Sequence, residues 1–449
     1  MKRVSPNINR RKFLKVGSMA LVTPLFLKAS RLVSLTAAKT VHAATKVSAA
    51  YNRAIDKMVE DCKRRFAKIS GWATGRGSAT VTAESLINSA SAVSHNPFWA
   101  NEGYATGTRW GGLIAYPMYS AGGSNATTVP SETPECGFDR QLWPGQDWEF
   151  YQPIRVGDTL RTWMRNPQLI EQAFPDRDGI RGFLNVEGDF DIVNQRNEIV
   201  STWQNHTVRV FYPDGVPMFP STWDRYGFTQ KEIFYLDSLA RAEKVRGANI
   251  RYWEDTNVGD MLDPVVIGPT NFQDIGNQGG GGGGAPPGGG FPGGAARDPN
   301  EPISKLLEKE GVIARGEFVQ GATGLYYKSG GDMMRHWDDV YARAEGEPGA
   351  FLWGVMSVGT MTRCLTNWIG DDAFVRSYKW RHIFRTLVGD SAFSKGKVTN
   401  KHIENGEYLV DIFIWHQDIR GFIADAAVAT VALRSRTETY PDLKKVIDY

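Results

Sequence analysis

The sequence predicts an α+β protein made of two similar halves, each a helix wrapped by an antiparallel sheet. Two pairs of long β-like runs carry this reading: "RGFLNVEGDFDIVNQ" with "EIVSTWQNHTVRVFY", and "EYLVDIFIWHQD" with "GFIADAAVATVALRS". Each pair is divided by a polar turn, Asn194 to Asn197 or Gln417 to Gly421, as antiparallel hairpins require. Upstream, both halves repeat one order: an aromatic segment ("NPFW" or "RHWDD"), an apolar stretch containing glycine ("RWGGLIAYPMYS" or "GAFLWGVMSVGTMTRCLTNWIG"), and a segment containing "VGD".

The first 43 residues stand apart. They carry nine Lys or Arg and no acid, so removing them takes the net charge from +3 to 3 − 9 = −6. "NRRKFLK" followed by a short apolar run to Leu27, with "VHAA" beyond it, resembles a twin-arginine signal cleaved after Ala43. The remaining body is mildly acidic, which excludes nucleic acid as a partner, because phosphate binding needs a clustered basic face. No run is long and apolar enough for an integral membrane span.

The 449 residues are enough for two or three domains. Ile55, Val59, Cys62 and Phe66 recur at helical spacing over Asn52 to Ile69. The first half then occupies 50–215 and the second 249–440, joined by a linker over 216–248 with a helix in Gln230 to Gly247. "VGD" occurs three times, at Val156, Val258 and Val388, where Gly permits a tight turn and Asp can hold nearby backbone N–H groups. Gly276 to Gly294 holds twelve glycines and reads as a flexible loop, since neither a P-loop nor a dinucleotide fingerprint surrounds it. Cys62, Cys136 and Cys364 are too few and scattered for a disulfide framework, and the seven histidines show no metal-ligand spacing.

"GGDMMRHWDDVYARAEG" places His336 with Asp332 and Asp338 just before an amphipathic helix. Such a pairing suits proton transfer at neutral pH. Each residue also has a structural reading: His336 as a helix-start histidine, Asp338 as a helix cap, Asp332 as a solvated loop residue and Gly354 as a packing glycine. Arg109, Arg381 and Arg385 are candidates for meeting carrier phosphates or for ordinary surface charge, and Trp99, Trp110, Trp337 and Trp368 for pocket wall or core.

Together, "NPFW…YATGTRWGGLIA", "HWDDVYARAEGEPGAF", "NWIGDD" and "LVGD…GKV" resemble the MaoC-like dehydratases, specifically the double hot-dog acyl-CoA hydratases whose N-terminal half is similar to a fungal fatty-acid-synthase-type dehydratase domain. The resemblance covers roughly residues 50–436. It implies a lyase that hydrates a 2-enoyl thioester without a cofactor, with the family's tendency to assemble through its sheets as a homodimer or hetero-oligomer. The family motif runs Asp-x-Asn-Pro-(Leu or Ile)-His, with Asp two residues and Ala six residues after the His. The first half keeps Asn96, Pro97 and Ala105 but has Ser94 and Trp99 in place of the Asp and His, which implies a catalytically silent domain. The second keeps His336, Asp338 and Ala342, while Asp332 stands four residues before His336 where the family has five.

The resemblance therefore implies His336, Asp332 and Gly354 as the catalytic set, Gly354 opening the central helix whose N–H groups hold the thioester oxygen. Asp338, Trp337, Trp353 and Arg381 are the implied substrate contacts, Trp353 standing where the family has His. Two other readings stay open: a non-catalytic exported protein that binds an apolar acyl ligand, and a subunit of an exported complex. The leader makes a direct prediction. Mass spectrometry of the chain from its native cell should find a mature N-terminus at Ala44, and an intact Met1 terminus would remove the export reading.

Overall fold

The structure is a computed structural model. It describes residues 52–53, 56–57, 59–60, 63–64, 71–72, 79–91, 93–119, 140–165, 168–173, 181–210, 225–271, 318–321, 324–327, 336, 339–344, 347–438 and 445–446. The leader and the glycine-rich loop at 276–294 lie outside these residues, while the described positions between Asn52 and Arg64 are helical.

The strands are β1 (Gly71–Trp72), β2 (Ala79–Thr80), β3 (Arg140–Phe150), β4 (Thr159–Arg165), β5 (Gln168–Ala173), β6 (Arg181–Val193), β7 (Glu198–Val210) and β8 (Val265–Ile267). They continue with β9 (Phe318–Gly321), β10 (Gly324–Tyr327), β11 (Phe374–His382), β12 (Ala392–Glu404), β13 (Glu407–Asp418), β14 (Ile423–Ala432) and β15 (Lys445–Val446). Among the described residues, all strands but β9 and β10 belong to one 13-stranded sheet ordered β1-β4-β6-β7-β3-β11-β14-β13-β12-β8, with β2, β5 and β15 attached at its side. The two expected sheets are thus joined edge to edge. The joint is the antiparallel pair β3–β11, which runs from Ser377↔Glu149 to Arg381↔Gly145. Both expected hairpins form, as β6–β7 and β13–β14. A helix at Gln230–Arg241, closed by a Thr229–Glu232 capping box, occupies the linker.

Inside the second half lies the central helix, Gly354–Ile369, with nearly every residue from Met356 onward buried. It packs against β8, β12, β13 and β14. Met361, Leu365, Trp380 and Ile412 of this half share one core with Trp99, Tyr116, Trp148 and Phe190 of the first. The halves are therefore not separate domains energetically: removing either would strip the other of its buried apolar surface.

The "VGD" triplets behave as the sequence indicates. Gly157, Gly259 and Gly389 all have positive φ (88°, 100° and 98°), a conformation that glycine adopts without strain. Asp158 accepts from Arg155 N at 2.8 Å and Asp260 from Asn257 N at 2.9 Å, whereas Asp390 reaches the linker and accepts from Tyr226 N at 2.7 Å.

The halves are pinned where the central helix ends. Asp371, one residue past the Gly370 cap, accepts from Asn96 Nδ2 at 2.7 Å and from the Tyr104 hydroxyl at 2.8 Å, and its backbone carbonyl accepts from Trp110 Nε1 at 2.7 Å. Burial raises the pKa of Asp371, and the two side-chain donors partly reverse that rise. Asp371→Ala leaves two polar groups without their acceptor, so it should lower stability by roughly 2–4 kcal/mol. In a urea-unfolding cycle with Asn96→Ala the two losses should be less than additive; strict additivity would show that the contact contributes nothing.

Candidate active site

Before the central helix, residues 350–352 run as a short extended segment beside 386–388. Leu352 N donates to Thr386 O and Val388 N to Ala350 O, both at 2.9 Å, and Phe351 bridges Leu387. Asp339 fixes one side, accepting from Ala350 N at 2.7 Å and from Arg225 Nη2 at 2.7 Å. Arg385 lies over the Phe351 ring at 4.6 Å and pairs at 3.2 Å with the fully buried Glu347. These contacts hold the Phe351 carbonyl in a fixed direction.

That carbonyl accepts from His336 Nδ1 at 2.8 Å. A carbonyl can only accept, so Nδ1 carries the proton and Nε2 is the basic nitrogen of the neutral ring. The His336 ring is half-buried, with its centroid 4.4 Å from Phe351 and 5.9 Å from Trp353. Trp353 is the N-cap of the central helix and gives no side-chain cap, and in the first turn Met356 N donates to Trp353 O at 2.9 Å. The structure thus brings His336, Trp353 and Gly354 to one helix start. Asp332, Trp337 and Asp338 lie outside the described residues.

Arg381 is placed elsewhere. Its guanidinium forks onto Asp147 of β3, with Nη2 at 3.0 Å from Oδ2, and His206 Nε2 stands 3.4 Å from the same oxygen. Burial alone would raise the pKa of Asp147, but His206 and Arg381 outweigh it and hold the carboxyl well below the usual range. The Arg381 fork is occupied in holding the joint between the halves. Arg385 is likewise engaged, by Glu347.

The space beside Gly354 that its missing Cβ leaves is occupied on one side. A Cβ built there would fall inside van der Waals contact of His382 Nε2, so that space holds an imidazole. His382 ends β11, and its Nδ1 bonds the buried Asp425 of β14. Sequence reasoning names neither residue, because 43 positions and a sheet register separate them. The available signal was the histidine in "KWRH", directly after the Arg381 that the sequence reading does single out.

The first half repeats the frame with different chemistry. Trp99 corresponds to His336 at a separation of 336 − 99 = 237 residues, and the same separation relates Ala105 to Ala342, Ile114 to Phe351 and Pro117 to Gly354. Ala105 and Ala342 are both 0% exposed, which explains why the motif needs a small residue there. Ile114 bridges Arg155 as Phe351 bridges Leu387, and Tyr119 N donates to Tyr116 O as Met356 N does to Trp353 O. From Ser120 to 139 the chain lies outside the described residues. Trp99 is core, edge-on to Tyr116 at 5.1 Å, and Pro117 has no N–H to offer where Gly354 has one. The turn at 117–119 therefore carries neither an imidazole nor that donor.

At the other end of the central helix a cavity of about 550 Å³ is lined by Arg246, Arg251, Asn367 and Trp368, among others. Arg251 donates to Trp368 O at 2.8 Å, so its charge serves the helix C-terminus. Within the helix, burial pushes the Cys364 thiol up to about 12, which excludes it as a nucleophile.

The family model described as the FAS1-like dehydratase domain region matches residues 68–203. Among solved structures, a MaoC-like dehydratase is similar over 83% of this chain and 99% of its own, at 16% identity and a TM-score of 0.53. A MaoC domain protein dehydratase from Chloroflexus aurantiacus is 13% identical over 82% of this chain and 96% of its own, with a TM-score of 0.45. A conserved hypothetical protein from Mycobacterium tuberculosis, described as having a double hot-dog fold, is 11% identical over 82% and 97%, with a TM-score of 0.43. No curated protein matches the chain. The fold is the α+β double hot-dog.

Next to Asp425 in the sheet, His416 is fully buried, with Nδ1 2.9 Å from Ser394 Oγ, and burial lowers its pKa to about 4. Between an unfolded value near 6.5 and that folded value, the unfolded chain takes up a proton that the folded chain refuses. Stability should therefore fall as pH drops from about 6.5 toward 4, by at most roughly 1.4 kcal/mol per pH unit from this group. Urea unfolding at several pH values should show a shallower slope in His416→Asn; equal slopes would place the proton elsewhere.

Proposed function

We propose that the protein is a hydratase/dehydratase that adds or removes water across the double bond of a 2-enoyl thioester, with its chemistry confined to the second half. The observation that carries this reading is His336. Its Nδ1–H is committed to the Phe351 carbonyl, and its ring lies against the residue that opens an uncapped central helix. Support comes from the dehydratase family model and from a fold shared with a MaoC-like dehydratase.

In this reading the thioester oxygen lies at the start of the central helix, where the helix dipole and the N–H groups of Gly354 and Val355, ahead of the Met356 N–H that donates to Trp353 O, favour the negative charge that develops on it. His336 Nε2 takes a proton from water as the water oxygen attacks C3. Neutral imidazole suits this step near pH 7, and the fixed Nδ1–H bond keeps the basic nitrogen facing away from the frame. Trp353, in the place of the family's His, forms an apolar wall beside the reacting carbons, while the first half supplies core and joint. Export by the twin-arginine leader and assembly through the sheets belong to the same proposal. The thioester carrier would then be one available where the mature chain resides.

Hydration of crotonyl-CoA and longer 2-enoyl-CoAs tests the reading. His336→Ala should lower kcat by about 10²–10⁴-fold, the usual contribution of a positioned acid or base. Equal rates in parent and variant would remove the proposed role. Gly354→Ala should lower kcat by at least about 100-fold, because the new Cβ displaces either the helix start or the His382 ring.

A further inference from the structure

We infer that His382, oriented by Asp425, is the second acid–base residue of this site, exchanging a proton with C2 of the thioester while His336 handles the oxygen at C3. This rests on the proposed function and goes beyond it by naming the partner that the reaction needs. Addition of water moves two protons, one from water to a base and one from an acid to C2. Among the described residues of the motif segment, Asp339 already holds Ala350 N and Arg225, which leaves His336 as the described residue of that segment placed for proton transfer; Asp332 and Asp338 lie outside the described residues.

His382 has the required geometry. Its Nδ1 bonds Asp425, a carboxylate 2% exposed, which fixes the ring and supplies a counter-charge when both nitrogens carry protons. Its Nε2 lies at the place a Cβ of Gly354 would take, beside the first residue of the helix that would receive the thioester oxygen, and C2 is one bond from the carbonyl carbon. The side chain remains 11% exposed, so it is packed but reachable. Trp380 at 4.9 Å and Trp143 at 6.1 Å wall the ring.

The charged and titratable groups around it are Asp425 on β14, His416 on β13 and Arg381 on its own strand, with Asp147 and His206 beyond Arg381 on β3 and β7. Arg381 is matched by Asp147, and His416 stays neutral because burial lowers its pKa to about 4. The negative charge of Asp425 is left to His382.

In hydration the water oxygen bonds to C3 and its proton goes to His336 Nε2. The C2=C3 electron pair shifts toward the thioester, and the proton on His382 Nε2 forms the new C2–H bond. His336 then carries one extra proton and His382 one fewer, and exchange with solvent resets both. Dehydration is the reverse.

The test uses the mature chain with crotonyl-CoA, measuring kcat and KM from pH 5 to 9 for the parent, His336→Ala, His382→Gln and Asp425→Asn. His382→Gln should lower kcat about 100-fold with KM within about threefold, and should flatten the limb of the profile set by loss of the acid's proton. Asp425→Asn, which keeps the volume, should lower kcat about tenfold and move that limb to lower pH. It decides the matter if His382→Gln does not fold: an unchanged pH profile in Asp425→Asn overturns the inference. Activity lost in His336→Ala but retained in His382→Gln overturns the inference alone. A folded parent inactive on every enoyl thioester overturns both this inference and the function it rests on.

Discussion

The position of the site depends on Asp371. By accepting from Asn96 and Tyr104, this carboxylate fixes the C-terminal end of the central helix against the first half. The helix has 16 residues and is about 24 Å long, and a buried helix of that length does not bend freely. Pinning one end therefore sets where Gly354 begins at the other. The β3–β11 joint completes the constraint, since Arg381 on β11 grips Asp147 on β3 one residue from the histidine that packs under Gly354. Polar contacts between the halves thus set the geometry of a site whose histidines belong to one half, with Trp143 of the other half in its wall.

This explains what the first half does with its inherited motif. Asn96 keeps the motif position but spends its side chain on Phe98 N and Asp371, acting as cap and clamp at once. Trp99 fills with apolar surface the place where the second half has an imidazole, and Pro117 removes the N–H that corresponds to Gly354. The Trp99 ring adds apolar core there, although its buried indole N–H has no hydrogen-bond partner among the described residues. In the proposed reading one half serves as structure, and the other carries the polar groups of the site.

Much of this was legible in the chain. The duplicated order, the two hairpins, the three "VGD" turns and His336 follow from local patterns: alternation, turn residues and fixed spacing within a motif. The joint was not legible. β3 contains Pro144 and Gly145, which read as strand breakers, and β11 mixes polar residues with its aromatics: Arg376 reaches Glu407 of β13 and Arg381 reaches Asp147 of β3, while Lys379 is exposed. His382 and Asp425 were hidden for the same reason, since their meeting depends on the register of β11 against β14, which places His382 opposite Asp425. Register is a property of the assembled sheet.

The glycine at the helix start brings these threads together. Viewed from sequence, Gly354 serves a ligand: no Cβ, hence open backbone. In the structure it serves a neighbour, because the ring of His382 fills the space that a Cβ would take. The two uses are compatible only if the ring tip and the backbone N–H address the same small volume from different sides. A glycine there is then required whether or not a ligand is bound, and an imidazole held by a buried carboxylate lies at the spot where the helix dipole would gather negative charge. An alanine would disrupt packing and chemistry together. For that reason the Gly354 variant alone cannot separate the two roles, whereas the His382 and Asp425 variants, which keep Gly354 and its backbone N–H, can.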